Sequence, residues 1–263
     1  MSGLLLRLAG PLQSWGERSA FTPVRDTAPF PTRSALIGMF AAAEGIGRNQ
    51  ACLDRYQNLR LTVRIDRPGT RFVDYHTVGG GFPKDRTAAT SGGSNKGAAV
   101  ITRRHYLSDA VFVVAVTAPD TTLQRLADAL TRPHWAPYLG RRSCVPDEPF
   151  LLRRHVENPE EELRTRVPLS RTASHTKDGD GQAAGTIAVE FLLEHPPTTD
   201  SAEAAPVDII DVNDMPVSFA QHSRSHTGRR LYRTQLPVPR SLAGPPHTLI
   251  QRLIDYAHLE ESA

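Results

Sequence analysis

The chain has 263 residues, of which 39% are hydrophobic and 22% charged. That is enough apolar material for a core without staples, and too much for a disordered chain. No run approaches the ~18 consecutive apolar residues of a spanning helix, and the opening Leu4–Leu8 run is short and split by Arg7, so no leader and a cytoplasmic location are expected.

In chain order, Leu4–Leu8 reads as a first buried strand ended by Gly10-Pro11. Pro31-Thr32-Arg33-Ser34 opens a helix over Ala35–Glu44, with Leu36, Ile37, Met39, Phe40 and Ala43 at helical spacing and Gly45 and Gly47 closing it. Asn49–Tyr56 reads as a second short helix. Leu59–Asp66 alternates as a strand, Pro68-Gly69 is a turn, and Arg71–Thr77 is another strand. Val78–Ala99 holds six glycines and few large apolar groups; such a stretch builds no core and reads as a long polar loop. Strand signals resume at Val100–Leu107, so 74–108 is expected to be a projecting hairpin whose glycine-rich tip stays mobile.

Ala110–Thr117 is apolar on both faces and so belongs at the centre of a sheet. Thr122–Leu130 is an amphipathic helix stopped by Pro133. The order is that of a βαββαβ, ferredoxin-like unit carrying an insertion, an α+β fold. The second half is proline-rich. Thr186–Leu193 and Arg229–Leu236 read as strands, Pro196–Pro206 as a linker and Leu249–Leu259 as a terminal helix. The expected division is a domain over 1–140 and a smaller β-rich region over 141–263.

The net charge of +3 hides an uneven distribution. Residues 1–110 carry 15 Arg and Lys against 8 Asp and Glu, whereas residues 161–263 carry 10 against 14. Glu194–Asp214 holds six acids and no Lys or Arg, and Gln221–Arg240 holds five Arg, two His and no acid. A phosphate-facing surface and a separate acidic face are the expectation. The acidic run suits either a protein partner or repulsion of nonspecific nucleic acid.

Several chemistries are disfavoured. The ten His form no HxH or HExxH pattern, the two cysteines, Cys52 and Cys144, fit neither zinc nor disulfide spacing, and there is no Walker or GxSxG motif. No cofactor and no metal are expected. Metal-free RNA cleavage needs a general base and a cation for the phosphorane. His222, His226, Arg229, Arg230 and Tyr232 have the composition for it, and equally for backbone binding or a solvated face.

Four segments are candidate contact surfaces. Gly10–Gly16 places Gln13 and Trp15 in a tight turn, where Trp15 either stacks on a base or fills the core. Asp74–Thr77 and Thr102–Tyr106 are the paired stems of the hairpin. Alternation puts Arg103 and His105 on one face and Arg104 and Tyr106 on the other. In Leu139-Gly140-Arg141-Arg142 the glycine permits close backbone approach and the arginines supply forks for phosphate.

The blocks LLRLAGPLQSWG, FPTRSALIGMFAAAEGIGR, DYHTVGGG, ITRRHYLSDAVFVVAV, YLGRRSCVPDEPF and DMPVSF stand in the order and spacing of one family. Over residues 3 to about 235 the chain resembles the CasD-type subunits of type I-E CRISPR surveillance complexes (Cascade), in the RAMP superfamily. The resemblance is weakest in the hairpin tip, in 155–185 and beyond about Leu242. It implies a ferredoxin-like (RRM-like) palm, a β-hairpin thumb and a smaller C-terminal β-region. It implies a non-catalytic subunit that holds the 5′ handle of the crRNA and touches the backbone subunit and the large PAM-reading subunit, rather than acting as a free monomer. Related subunits that cut RNA keep a metal-independent endoribonuclease as the alternative. The residues expected to meet RNA are Gln13, Trp15, Arg33, His76, Arg103, Arg104, His105, Arg141, Arg142, Arg229 and Arg230.

Overall fold

A computed structural model describes residues 1–16, 22–50, 53–79, 83, 86, 99–171, 185–197, 206–220 and 223–258. The expected hairpin tip lies mostly outside these residues, as do Cys52, His222 and most of the expected linker at 196–206. The chain opens with β1 (Gly3–Ala9), two short strands β2 (Leu12–Gln13) and β3 (Val24–Arg25), and helix α1 (Arg33–Ala43). After a 3-10 turn at Leu53–Tyr56 come β4 (Arg60–Arg67), β5 (Thr70–Val78), β6 (Val100–Ser108) and β7 (Val111–Thr117). Then follow α2 (Asp120–Thr131), β8 (Leu151–Val156), α3 (Pro159–Thr165), β9 (Thr186–Leu193), β10 (Val207–Ser218), β11 (Ser225–Pro239) and α4 (Leu249–Ala257).

Seven strands form one sheet in the order β10-β11-β9-β4-β7-β1-β8, every pairing antiparallel. All seven residues of β7 are buried, as expected for a strand apolar on both sides and flanked by β1 and β4. Strands from both sides of residue 140 share the sheet, because β8 pairs with β1 and β9 pairs with β4.

The strand period of two divides the core. Leu4, Leu6, Leu8, Leu61, Val63, Phe112 and Val114 face α1 and α2. Leu5, Val113, Ala115, Val189 and Phe191 face the other way, against Leu163 of α3 and Leu253 and Tyr256 of α4. Over its central strands both broad faces of the sheet are therefore covered by helix. The ribbon β5/β6 leaves this sheet and is paired without a break from Thr70↔Ser108 to Val78↔Val100, while β2 and β3 pair with β6.

Besides the two-residue strands β2 and β3, three elements are not legible in the local sequence pattern. β8 hides its alternation behind Arg153, Arg154 and His155, α3 has only seven residues, and β10 is disguised by its acids. The expected second helix at Asn49–Tyr56 is in fact the 3-10 turn at Leu53–Tyr56.

On the α3 side, a wholly buried Arg64 donates twice to Asp66 in the same strand and to the carbonyls of Leu163, Val167 and Pro168. Asp66 in turn accepts the Ser170 N–H. One guanidinium thus satisfies the carbonyls that the end of α3 leaves open and ties 163–170 to β4. Asp66→Ala is expected to lower the unfolding free energy by about 3–5 kcal/mol by stranding that buried cation. Urea denaturation checks this, and a decrease below about 1 kcal/mol would show that Arg64 finds another partner.

Candidate nucleic-acid interface

Helix α1 buries Leu36, Ile37, Met39 and Phe40. Its part-exposed stripe is Ala35, Gly38 and Ala42, small residues where a solvated helix normally carries charge. A Cβ built on Gly38 meets nothing within 4 Å, so the stripe looks into open space. The helix ends in a Schellman motif: Gly45 N–H reaches the Ala42 carbonyl, Ile46 N–H reaches the Ala41 carbonyl, and Gly45 takes φ +76°. That turn brings Gly47 and Arg48 to the mouth of the space.

The opposite wall is the segment after α2. His134 and Trp135 donate backbone N–H groups to the Ala43 and Ala42 carbonyls, and their rings pack edge to face at 4.7 Å. Trp135 is left 47% exposed and Tyr138 38% exposed. Gly140 then crosses Ser14 so closely that a Cβ would lie 1.7 Å from the Ser14 carbonyl oxygen, at φ +83°. The close approach expected of this glycine is made, but to the chain's own backbone.

Between these walls lies a cleft of about 420 Å³ rimmed by Arg48, Arg141 and Arg224, with no Asp or Glu among its described lining residues. Arg224 sits 5.7 Å from the Phe219 ring centre. Burial, and then the neighbouring Arg48, push its pKa down, as expected of cations gathered without an anion. Arg141 stacks 4.5 Å from the Tyr106 ring centre and donates to the Arg25 carbonyl at 3.0 Å. Its Nη1 is buried without a partner among the described residues. Arginine forks beside exposed aromatic faces suit phosphate and base together.

Arg141 also joins the cleft to the ribbon. Tyr106, under Arg141, lies on the even-numbered ribbon face with Arg104 and His76, whereas Arg103 and His105 lie on the other, as alternation required. Arg103 is exposed and pairs in register with Tyr75, itself 63% exposed. Arg104 is part-buried and donates to Thr102 Oγ1, and His76 stands 3.3 Å from Asp74. Arg142 is exposed beside the cleft-lining Arg141.

The other expected contacts do not line the cleft, and all but Arg230 are engaged inside the protein. Gln13 is fully buried: its amide donates to the Leu8 and Ala110 carbonyls and accepts from Trp15 Nε1. Trp15 is also fully buried, so it fills the core and offers no face to a base. Arg33, 3% exposed, holds Glu194 through both carboxylate oxygens and caps the Tyr56 and Leu59 carbonyls. Arg229 holds Glu194 and Asp214, and the Arg33 backbone N–H also donates to Asp214. These two arginines are paired with buried Asp214 and part-buried Glu194. Arg230 is exposed on the far part of the sheet, 3.8 Å from Asp211.

Among the described residues weighed for RNA cleavage, the groups do not converge. His226 and Tyr232 lie six positions apart on β11, roughly 20 Å at the rise of a strand. Arg229 is committed to carboxylates. Burial, and then Arg224, push the His226 imidazole below its ordinary pKa. Cys144 is a buried thiol whose pKa burial raises. Among the described residues no group of three or more His, Cys, Asp or Glu could hold a metal ion, and no helix is long and apolar enough to cross a membrane.

Arg48, Trp135, Tyr138, Phe219 and Arg224 were not among the expected contacts. Arg224 was visible only as one of a run of five. The uncharged Ala35, Gly38, Ala42 stripe was the signal that one side of α1 is reserved for something other than water.

Two variants separate scaffold from cleft. Gly140→Ala is expected to lower the thermal midpoint by about 4 °C or more, the shift of roughly 1–2 kcal/mol in a chain this size, because backbone must move and φ is positive. Gly38→Ala, facing open space in mid-helix, is expected to be neutral or to stabilise by about 0.5–1 kcal/mol. Calorimetry of the pair checks both.

Comparison with known proteins identifies the family. The family model for CRISPR-associated protein (Cas_Cas5) matches residues 3–232. CRISPR system Cascade subunit CasD of Escherichia coli (strain K12) is 36% identical over 182 residues, covering 64% of this chain and 78% of that protein. A chain from a structure titled CRISPR RNA-guided surveillance complex superposes with TM-score 0.83 at 45% identity, covering 97% of this chain and 99% of the other. A chain titled Crystal structure of Cas protein superposes with TM-score 0.56 at 28% identity, covering 93% and 99%. With nearly the whole α+β fold and residues 3–232 matched, the chain belongs to the Cas5 family of CRISPR-associated proteins.

Proposed function

We propose that this chain is a non-catalytic crRNA-binding subunit of a Cascade-type CRISPR surveillance complex in the cytoplasm, and that it holds the 5′ handle of the guide RNA. The carrying observation is the acid-free cleft rimmed by Arg48, Arg141 and Arg224 and flanked by exposed Trp135 and Tyr138. On this reading β8-β1-β7-β4 with α1 and α2 are a ferredoxin-like palm. The ribbon β5/β6 is its thumb, and the strands from β9 onward are the C-terminal β-rich region. Guide RNA enters along Arg142 and Arg141, its phosphates meet Arg48 and Arg224, and a base stacks on Trp135 or Tyr138. His76, Arg103, Arg104 and His105 on the ribbon are left for RNA or for the adjoining backbone subunit, with the large PAM-reading subunit seated nearby.

Covered sheet faces support a cleft rather than a sheet-surface mode. An RNA-binding sheet of this topology usually stacks bases on its open side, and here α3 and α4 occupy that side.

The test is filter binding of the repeat-derived 5′ handle against salt. Removing one arginine–phosphate pairing on a single strand flattens the log–log slope by about 0.7, so Arg48→Ala with Arg224→Ala is expected to flatten it by about 1.4. Trp135→Ala is expected to cost roughly 1–3 kcal/mol of binding by removing a stacking face. Arg229→Ala is expected to lower stability. Unchanged slope in the Arg48/Arg224 variant would remove the cleft from RNA binding. The same incubation in EDTA is expected to leave the RNA intact; a 2′,3′-cyclic phosphate product would reassign the protein as a nuclease.

A further inference from the structure

The acidic run Glu194–Asp214 is not one surface. Glu194 and Asp214 turn inward to Arg33 and Arg229. Asp208 and Asp211 stay outside on β10, in register with Arg233 and Arg230 of β11; Arg233 is held by Glu190 instead, and the Asp211 side chain, 87% exposed, stands 3.8 Å from Arg230. RNA binding accounts for neither of these two.

β10 is also the terminal strand of the seven-stranded sheet. Its pairing with β11 runs in regular register from Val207 to Val212 and shifts only beyond that point, where Pro216 follows. Among the described residues, no strand pairs with the outer edge of 207–212. Ile209 is 62% exposed and Val207 38% exposed there. The opposite terminal strand, β8, is built differently. It has six residues, its pairing with β1 is broken by two register shifts, and it packs against α2 and α4. Long, regular, partly apolar edges are what proteins normally blunt, because an open ladder templates another strand. Here β8 is blunted and β10 is not.

We propose that the 207–212 edge of β10 accepts an extended, Lys- or Arg-bearing segment of a protein partner as an eighth strand of the sheet. Charge selects the class of partner. Carboxylates at Asp208 and Asp211 repel a phosphate backbone at this edge and attract a cationic peptide. The ladder supplies affinity, while Val207, Ile209 and the two acids supply register and choice. This surface is separate from the cleft, so either reading can fail alone.

The test uses the full chain, free and in the surveillance complex assembled with guide RNA. Amide exchange at 207–212 is expected to slow at least tenfold on assembly. A benzophenone amino acid at position 209 is expected to form its photoadduct with a protein partner. Asp208→Lys with Asp211→Lys is expected to weaken retention of that partner at least tenfold, while handle binding and the thermal midpoint of the free chain stay unchanged. Unchanged exchange, or no adduct, would overturn the proposal. An adduct with RNA would overturn it in favour of nucleic acid. Concentration-dependent self-association that protects the same amides would overturn it in favour of a second copy of this chain.

Discussion

Four side chains, two buried and two part-buried, determine how the parts of this molecule sit together: Arg33 and Asp214, Glu194 and Arg229. Arg33 opens α1, Glu194 follows β9, Asp214 lies on β10 and Arg229 on β11. Two cations and two anions share a set of charge-assisted hydrogen bonds, and Glu194 also accepts the Leu61 N–H at the start of β4. Buried ions repay their desolvation only when geometry and hydrogen bonding are nearly complete, so such a cluster has few alternative arrangements. It links the helix of the first half to the strands of the second. Because it fixes the N-terminal end of α1, it fixes where the Ala35, Gly38, Ala42 stripe points, and with it the floor of the cleft.

That arrangement explains why an Arg-rich chain is hard to divide into surface and scaffold. Arginine serves both purposes here. Arg64 closes off α3 from inside the core, Arg33 and Arg229 neutralise carboxylates, and Arg48 and Arg224 gather at an acid-free mouth. Residue type alone does not separate these roles. What separates them is the sign of the neighbours: scaffold arginines have carboxylates or helix-end carbonyls in range, and cleft arginines have other arginines and rings.

The legible part of the fold was the part with strong local periodicity. β1, α1, β4, β7 and α2 follow patterns of two or 3.6 within their own residues, so their order could be read directly. The opposite faces of Arg103 and Arg104 on the ribbon followed from alternation alone. The illegible elements depend on distant partners. β8 is polar in its middle yet completes the sheet beside β1. β10 hides among its surface acids one, Asp214, that answers Arg33 and Arg229 across the fold. Gln13 and Trp15 read as a contact pair, since an amide and an indole at a strand end resemble a recognition turn. Only the Leu8 and Ala110 carbonyls show that the amide is spent internally. Gly140 carried a correct signal, close approach, with its partner misread.

The covered sheet has a further consequence for how such a protein can bind a strand of RNA. A bare antiparallel sheet offers a flat stacking platform on the face turned away from its core. Here α3 and α4 seal that platform, and the contact surface moves to a seam between α1 and the 135–141 segment. The seam's fixed geometry rests on backbone features: the left-handed Gly45, the Gly140 crossing, and the hydrogen bonds from His134 and Trp135 into the end of α1. Its side chains, Arg48, Trp135, Tyr138 and Arg224, are at least partly outside the core and can change without reopening it. The constraint that holds α1 in place therefore also separates stability from recognition, with buried ion pairs serving the first and a seam of exposed rings and gathered positive charge serving the second.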